Sequence, residues 1–219
     1  CRARYIFASS GEIFGDTGTG CAAAASPIEP RSPYAVSKAA AAMVLRNYRE
    51  VFGVDAAVAH LFPHESPLRP RHFVLRKLAR ALHDLRAGRL RQLRLGRTDV
   101  VRDWGWAEDH MDALYRQACL PVPIDLVIAT GTGTSLDDMV RHGLDRFGIA
   151  AEGRVVRDRA MVRPADLARS VGDPGLAADA IGWRAEVAGT AVLDRLIDAI
   201  GATEALARQP APALSALAQ

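Results

Sequence analysis

The chain has 219 residues, 49% of them hydrophobic, and its 28 basic and 25 acidic residues give a formal net charge of +3 at pH 7. This size and apolar content suffice for one sizeable hydrophobic core. No apolar run reaches the roughly 18 residues that a membrane-spanning helix needs, so no membrane partner is expected. The cysteines Cys1, Cys21 and Cys119 are too widely spaced for a disulfide framework or a zinc site. We therefore predict a reducing, cytoplasmic setting and no bound metal.

The first half of the chain alternates between predicted strands and helices. Residues 5–8 form an apolar strand, 33–52 an alanine-rich helix that ends at Gly53, and 54–62 a second strand. A loop over 63–72 then leads to an amphipathic helix over 73–87 that Gly88 closes, and a short strand follows near 92–95.

The second half continues the alternation. The pattern predicts a helix over 107–119, a strand over 124–129, and helices over 136–147, 174–181 and 188–201. Ser135 is expected to cap the helix at 136–147, and the tail over 208–219 is expected to fray. Gly131-Thr132-Gly133 follows a strand, and a tight turn is favoured there over a phosphate cradle. Alternating strands and helices predict an α/β fold.

Two motifs near the start carry the chemistry. Tyr34 and Lys38 lie four residues apart on a helix and therefore share one face. A cation beside a phenol favours the phenolate, which makes Tyr34 a candidate general acid/base for alcohol–ketone chemistry. The hydroxyl of Ser10 and the carboxylate of Glu12 would complete a site for proton transfer on a sugar. The alternative is a half-exposed tyrosine beside a solvated lysine.

Three observations favour the catalytic interpretation. Ser32 and Pro33 precede Tyr34, and a serine cap with proline at the first helical position is a strong helix start. Residues 5–8 form a strand that leads directly into Ser10, and ligands bind beyond the carboxyl ends of parallel strands. Lys38 is also one of only two lysines in an arginine-rich chain.

Residues 69–102 are dense in arginine, with Asp84 and Asp99 as the acidic residues of the stretch. The arginines are either solvated helix faces or a basic lining for a diphosphate, since arginine binds phosphate oxygens in pairs. Nucleic-acid binding is not expected, because interleaved aromatic residues and a recognisable binding motif are missing.

Several segments give the chain a specific resemblance. They occur in the order Ala8–Gly15, Pro30–Lys38, Leu61–Arg69, Phe73–Lys77, Leu95-Gly96, Arg102–Gly105 and Asp125–Gly131. With them the chain resembles the extended short-chain dehydrogenase/reductases, the superfamily of NAD-dependent epimerases and dehydratases. Within that superfamily it resembles the GDP-mannose 4,6-dehydratase family, over residues 5 to 200. The segments His64-Glu65-Ser66-Pro67 and Arg102-Asp103-Trp104-Gly105 favour this family over sugar epimerases.

The resemblance implies the C-terminal part of a Rossmann-type parallel sheet with a smaller α/β substrate-binding domain. Residues 1–62 would be the remainder of the Rossmann domain with the catalytic motifs. Residues 63–207 would be substrate-binding segments interleaved with late Rossmann elements. The family's glycine-rich cofactor loop would lie upstream of Cys1, so we expect a chain that corresponds to the C-terminal two-thirds of such an enzyme.

The resemblance also implies a reaction. In the family, GDP-mannose is oxidised at C4 by NADP, loses water across C5–C6 and is reduced at C6, giving GDP-4-keto-6-deoxymannose. Tyr34 would accept the C4 hydroxyl proton, and Lys38 would tune Tyr34 and hold the nicotinamide ribose. Ser10 would polarise the C4 oxygen, and Glu12 would remove the C5 proton.

Further positions match the binding residues of the family. His64 and Arg69 would bind the cofactor together with Tyr34 and Lys38. The positions implied for the GDP-sugar are Val74, Lys77, Gly96, Arg102, Arg163 and Asp166. NADP is the expected cofactor by resemblance alone, NAD is not excluded, and a homo-oligomer stays open.

The chain also departs from the family pattern. Pro63 replaces an asparagine, Leu75 replaces a threonine, and Asp166 is one methylene shorter than the usual glutamate. The insert Asp16–Ala25, rich in glycine and alanine, is unlike the family's loop. The alternatives are therefore a non-catalytic nucleotide-sugar-binding pseudoenzyme fragment, or a related nucleotide-sugar epimerase or reductase.

Overall fold

A computed structural model describes residues 3–162 and 166–207 of the chain. The strands are β1 (Tyr5–Ser10), β2 (Ala56–Leu61), β3 (His64–Glu65), β4 (Leu93–Leu95), β5 (Val101–Asp103), β6 (Gly105–Trp106), β7 (Leu126–Ile128), β8 (Gly133–Ser135), β9 (Val155–Arg157) and β10 (Arg169–Ser170). The helices are α1 (Pro33–Phe52), α2 (Val74–Arg86), α3 (Ala107–Ala118), α4 (Leu136–Phe147), α5 (Gly175–Ile181) and α6 (Thr190–Ala207).

A three-stranded parallel sheet has the order β1-β2-β7. Four consecutive residues of β2, Ala56 to Ala59, are fully buried, and so is the whole of β7. Continuous apolar burial is typical of parallel strands covered on both faces. This burial explains why the sequence shows apolar runs here rather than alternation.

Helix α1 is fixed to this sheet at both ends. Ser32 caps it by accepting a hydrogen bond from the amide of Ala35 at 3.1 Å, and Gly53 ends it in the left-handed conformation with φ of +64°. On the sheet side, Asp125 accepts hydrogen bonds from Arg49 at 2.6 Å and from Arg46 at 2.9 Å. This carboxylate just before β7 therefore joins α1 to the sheet.

A second small sheet has β5 at its centre, parallel to β10 and antiparallel to β8. At the end of β5, Asp103 accepts hydrogen bonds from the Thr130 amide and hydroxyl and from the amides of Gly131 and Gly172. The Gly131 amide that a phosphate cradle would use is therefore occupied. The glycine cluster forms a turn with φ of +79° at Gly131.

The largest apolar cluster lies among the helices α2, α4 and α6. Leu78 and Leu82 of α2 meet Met139 and Leu144 of α4 and Leu193 of α6, all fully buried or nearly so. Ser135 caps α4 as predicted, accepting a hydrogen bond from the Asp138 amide at 2.9 Å. Two further strand pairs, β3 with β6 and β4 with β9, lie outside the larger sheets.

The α/β fold and the long helices agree with the sequence prediction. The helices predicted over 33–52 and 136–147 have those bounds, whereas the last predicted helix begins at Thr190 and is longer than expected. The sequence missed β3, β5, β6, β8, β9 and β10. The division of the chain at residue 62 stays a prediction, and the tail over 208–219 lies outside the described residues. Within those residues, no helix is both long and apolar enough to cross a membrane.

Candidate active site

The carboxyl end of β1 leads into a 3-10 turn over 11–14, which places two of the predicted catalytic residues. Ser10 is buried, and its hydroxyl accepts a hydrogen bond from the amide of Glu12 at 3.2 Å, while Glu12 is exposed. Gly11 lies against the ring of Phe62, which a Cβ would approach to 2.7 Å. The glycine lets the turn pack closely and directs Glu12 outward.

The first two turns of α1 place Tyr34 and Lys38 beside the 3-10 turn. The hydroxyl of Ser32 donates to Oε2 of Glu12 at 3.4 Å, so the helix cap also holds the carboxylate. Lys38 Nζ donates to the carbonyl of Ala8 at 2.9 Å and lies 5.9 Å from the centre of the Tyr34 ring. Tyr34 itself is 51% exposed. The four predicted catalytic residues, Ser10, Glu12, Tyr34 and Lys38, are thus grouped around the end of β1.

Arg102 and Asp166 form an ion pair close to this group. Arg102 Nη2 donates to Asp166 Oδ1 at 2.6 Å, and both side chains are largely buried. Burial lowers the pKa of Arg102, although the charges of Asp166, Glu12 and Asp16 act to raise it. Two of the predicted substrate-binding residues, Arg102 and Asp166, are thus paired with each other.

The insert Asp16–Ala25 closes over the same region. Its residue Ala22 forms a parallel bridge with Gly172, and Asp16 accepts hydrogen bonds from the amides of Ala168 and Arg169. Burial acts to raise the pKa of Asp16, but these amide hydrogen bonds and that of Gly18 hold it below its ordinary value. Asp16 was not among the predicted site residues, because only the tertiary fold brings the insert to β10.

His64, predicted to bind a cofactor, lies just beyond the end of β2. Its Nδ1 contacts the carbonyl of Phe62 at 2.9 Å, and its ring stacks on that of His110 with 4.7 Å between centroids. Burial lowers the pKa of His64. The neutral ring then carries its proton on Nδ1, which leaves Nε2 as a hydrogen-bond acceptor. His110 is fully buried, and burial lowers its pKa to about 3.

Arg69, the second predicted cofactor residue, lies between an acid and an aromatic ring. Its Nε is 3.4 Å from Oε2 of Glu65, and its guanidinium carbon is 3.8 Å from the centre of the Phe73 ring. Glu65 is only 2% exposed, and burial raises its pKa to about 7, against the opposing charges of Arg69 and Arg76.

The remaining predicted substrate residues Val74, Lys77 and Gly96 lie on α2 or directly after β4. Val74 begins α2, and Lys77 Nζ donates to the carbonyl of Arg94 at 2.8 Å. Gly96 passes so close to Met161 that a Cβ would lie 2.5 Å from its carbonyl oxygen. No contact of the described residues joins Lys77 to Arg102. Arg163 lies outside the described residues.

Two cavities flank the helices, and neither is lined by Glu12 or Tyr34. One of about 440 Å³ is lined by Lys77 and other residues of α2, β4 and α6. The other, of about 670 Å³, lies among α3, α5 and α6. The predicted catalytic residues Ser10 and Glu12 instead lie at and just after the carboxyl end of β1. Over residues 3–162 and 166–207, no three His, Cys, Asp or Glu side chains are grouped so that they could hold a metal ion.

The fold and the site together define a class of protein. A parallel sheet whose strand ends in a serine–glutamate turn, beside a helix that begins with tyrosine and carries lysine one turn later, is that of a short-chain dehydrogenase/reductase of the epimerase/dehydratase type. The family model for GDP-mannose 4,6 dehydratase matches residues 1–196. The chain belongs to the GDP-mannose 4,6-dehydratase family.

Named relatives support this assignment. GDP-mannose 4,6 dehydratase 2 of Arabidopsis thaliana is 35% identical over 195 residues, which cover 89% of this chain and 52% of that protein. The GDP-mannose 4,6-dehydratase of Sinorhizobium fredii is also 35% identical, over 84% of this chain and 58% of its own length. The chain therefore spans little more than half the length of these relatives.

Solved structures share the fold. The dTDP-glucose 4,6-dehydratase of Bacillus anthracis, in complex with NAD, has a TM-score of 0.80 at 20% identity, covering 91% of this chain and 62% of that one. RMD from Pseudomonas aeruginosa, complexed with NADPH, has a TM-score of 0.79 at 23% identity, covering 90% and 65%. A Thermus thermophilus UDP-glucose 4-epimerase with NAD has a TM-score of 0.77 at 26% identity, covering 91% and 64%.

Proposed function

We propose that this chain supplies the catalytic and sugar-nucleotide-binding residues for the conversion of GDP-mannose to GDP-4-keto-6-deoxymannose. The observation that carries the proposal is the grouping of Tyr34, Lys38, Ser10 and Glu12 at the end of β1, with Glu12 held by Ser32. Family membership supports the choice of substrate. The thiols of Cys21 and Cys119 are free and exposed, which supports a reducing, cytoplasmic setting.

A nicotinamide cofactor fits part of this site. Lys38 has one ammonium hydrogen bonded to Ala8, and its remaining hydrogens together with the exposed Tyr34 hydroxyl can hold a ribose. His64, just beyond the end of the neighbouring strand β2, offers an acceptor at Nε2. When bound, the cofactor supplies the hydride acceptor and donor. We propose NADP, in line with the family, although structural neighbours hold NAD or NADPH.

Tyr34 is the proposed acceptor of the C4 hydroxyl proton. The residue is half-exposed in the first turn of α1, with Lys38 Nζ 5.9 Å from the centre of its ring. Tyr34 acts as the base that accepts the C4 hydroxyl proton during oxidation, and it then supplies that proton to the departing C6 hydroxyl. The Ser10 hydroxyl, already accepting from the Glu12 amide, can donate its own hydrogen to the C4 oxygen.

Glu12 is the proposed base that removes the proton at C5. A ketone at C4 makes the adjacent C5–H acidic, so that a carboxylate can remove this proton while the C6 hydroxyl, protonated from Tyr34, leaves as water. Glu12 then returns a proton to C5 when C6 is reduced. Ser32 orients the carboxylate through its hydrogen bond at 3.4 Å. Separate residues thus serve the two proton transfers.

Two variants test these roles in the chain fused behind the N-terminal half of a relative. Tyr34→Phe is expected to lower C4 oxidation by about 10²–10⁴-fold, because it removes the proton acceptor. Glu12→Gln is expected to stop water loss while C4 oxidation continues. The measurements are GDP-mannose consumption and deuterium exchange at C5. Exchange at the parental rate in Glu12→Gln would show that Glu12 is not the C5 base.

We also propose that GDP is preferred over UDP, through Lys77, Arg102, Arg163 and Asp166. The support is the match of their segments to the GDP-mannose family. Calorimetry on the chain with GDP-mannose and with UDP-glucose provides the test, and Arg102→Gln should weaken GDP-mannose binding. Equal affinity for the two ligands would contradict the preference.

A non-catalytic sugar-nucleotide binder is the second candidate, and Pro63 is the observation that favours it. Pro63 still accepts a hydrogen bond from the Gly105 amide at 2.9 Å through its carbonyl, but it has no side-chain amide and no backbone donor. If the fused protein binds GDP-mannose without converting it, and Pro63→Asn does not restore conversion, this second function becomes the better one.

A further inference from the structure

Glu65 is a buried acid that the proposed reaction does not use. Its side chain lies on β3, with 2% of the residue exposed, and its register partner across the strand pair is Trp106. A carboxylate is seldom buried unless it is paired with a cation. Two cations lie near it, Arg69 and Arg76.

The contacts of Arg69 leave one end of its guanidinium available. Its Nε is 3.4 Å from Glu65 Oε2, and its flat face lies over the Phe73 ring at 3.8 Å. The acid and the ring thus define both the direction and the plane of the group. Within the described chain, no carboxylate or carbonyl accepts from Nη1 or Nη2, which form the fork that binds phosphate oxygens in pairs.

The charges around Glu65 do not cancel. One carboxylate stands against two guanidinium groups, and Nη1 of Arg76 is buried without a hydrogen-bond partner in the described chain. The Glu65 Oε2 and Arg69 Nε atoms are also buried without a hydrogen bond, since their 3.4 Å contact is an ion pair only. An additional anion at Arg69 would complete the cluster.

We infer that Glu65 is a positioning residue, which turns Nε of Arg69 inward so that the Nη fork presents to a phosphate group of a bound ligand. The inference rests on the proposed function for the ligand, a phosphate-bearing cofactor. The orientation itself comes from the contacts of Glu65 and Phe73. Without the carboxylate, Arg69 keeps its charge but loses its fixed direction.

The sign of one effect distinguishes positioning from simple charge. At about pH 8, above the raised pKa of Glu65, Glu65→Gln removes a negative charge beside two arginines, so charge alone would tighten the binding of an anion. Positioning instead requires weaker binding, because the Arg69 fork is no longer held. We expect phosphate affinity to fall about threefold or more, the low end of coupling between neighbouring charged groups.

The test titrates the ¹⁵N-labelled chain with inorganic phosphate and follows the Nε–Hε signal of Arg69 by NMR. Asp84→Asn is the matched control, since it removes another carboxylate bound to two arginines, Arg80 and Arg89. It should leave phosphate affinity at Arg69 unchanged or slightly raised. Thermal unfolding of each variant reports folding.

Glu65→Asp provides a second variant should Glu65→Gln not fold. It keeps the negative charge and withdraws the carboxylate from Arg69 Nε, and its phosphate response is followed at the same Arg69 signal. Weaker phosphate binding in either variant supports the inference. Unchanged or tighter binding, or no response of the wild-type Arg69 signal to phosphate, overturns it. Because no turnover is measured, a failed dehydratase assay leaves this result intact.

Discussion

Gly105 shows how a single residue in the Arg102–Gly105 segment serves packing at the edge of the site. It pairs with His64 across β3 and β6, and a Cβ there would lie 2.4 Å from Cε1 of His110. Since His110 also stacks on His64, the absence of a side chain at 105 lets the two rings meet. The glycine is therefore required by the histidine pair, not by a positive φ.

We predict that Gly105→Ala lowers the free energy of unfolding by about 1–3 kcal/mol, the usual cost of an overpacked interior. The added methyl must displace His110 or separate β6 from β3. Urea unfolding measures the change. Gly20→Ala is the matched control, because the nearest atom to a Cβ there is 3.7 Å away, and it should have little effect. Equal losses in the two variants would contradict the packing argument.

At the scale of elements, the caps of two helices allow a comparison between stability and function. The Ser32 hydroxyl caps α1 and also donates to Glu12. The Ser135 hydroxyl caps α4, and both of its hydrogen bonds are to Asp138 in the first turn of that helix. Both hydroxyls satisfy an amide that the helix leaves open. Only Ser32 joins this role to the orientation of a proposed catalytic residue.

We predict that Ser32→Ala and Ser135→Ala each lower the free energy of unfolding by about 1 kcal/mol. In the fused enzyme, only Ser32→Ala should also slow deuterium exchange at C5, because Glu12 loses its hydrogen-bond partner. Urea unfolding and the exchange assay provide the two measurements. If both variants slow the exchange alike, the Ser32–Glu12 contact has no particular function.

The sequence predicted those elements whose ends are marked by neighbouring residues along the chain. Helix α1 has a serine cap, proline at its first position and a closing glycine, so its bounds could be read from the sequence. Strands of two or three residues, such as β3 and β6, have no period to detect, because distant pairing creates them. The sequence predicts one site for Glu12 and Tyr34 and gives no sign of the approach of Asp16 to Arg102, because that approach depends on tertiary packing.

At the scale of the whole molecule, buried ionisable groups couple folding to pH. His60 is fully buried without a hydrogen-bond partner in the described chain, and burial lowers its pKa to about 4. Burial also lowers the pKa of His110, to about 3, and that of His64. Burial raises the pKa of Glu65 to about 7.

These shifts act in opposite directions between pH 4.5 and 6.5. There the unfolded chain protonates His60 and His110 while the folded chain keeps them neutral, so the unfolded state binds more protons and stability falls on acidification. Glu65 is protonated in the folded chain and ionised in the unfolded one, which opposes this loss. Burial also raises the pKa of Asp103, but the three histidines outnumber the two acids, and the fold should therefore weaken as the pH falls through this window.

We predict that His60→Leu raises stability at pH 7, because it removes a buried ring without hydrogen bonds, a gain of about 1 kcal/mol or more. The same substitution should flatten the dependence of stability on pH between 5 and 6 by about 1.4 kcal/mol per pH unit, the contribution of one proton. Glu65→Gln should steepen it by a similar amount, since it removes the opposing group. Urea unfolding of both variants and the wild type across this range measures the slopes. Parallel slopes for all three proteins would show that His60 and Glu65 titrate alike in the folded and unfolded chains, and the link between burial and acid sensitivity would then fail.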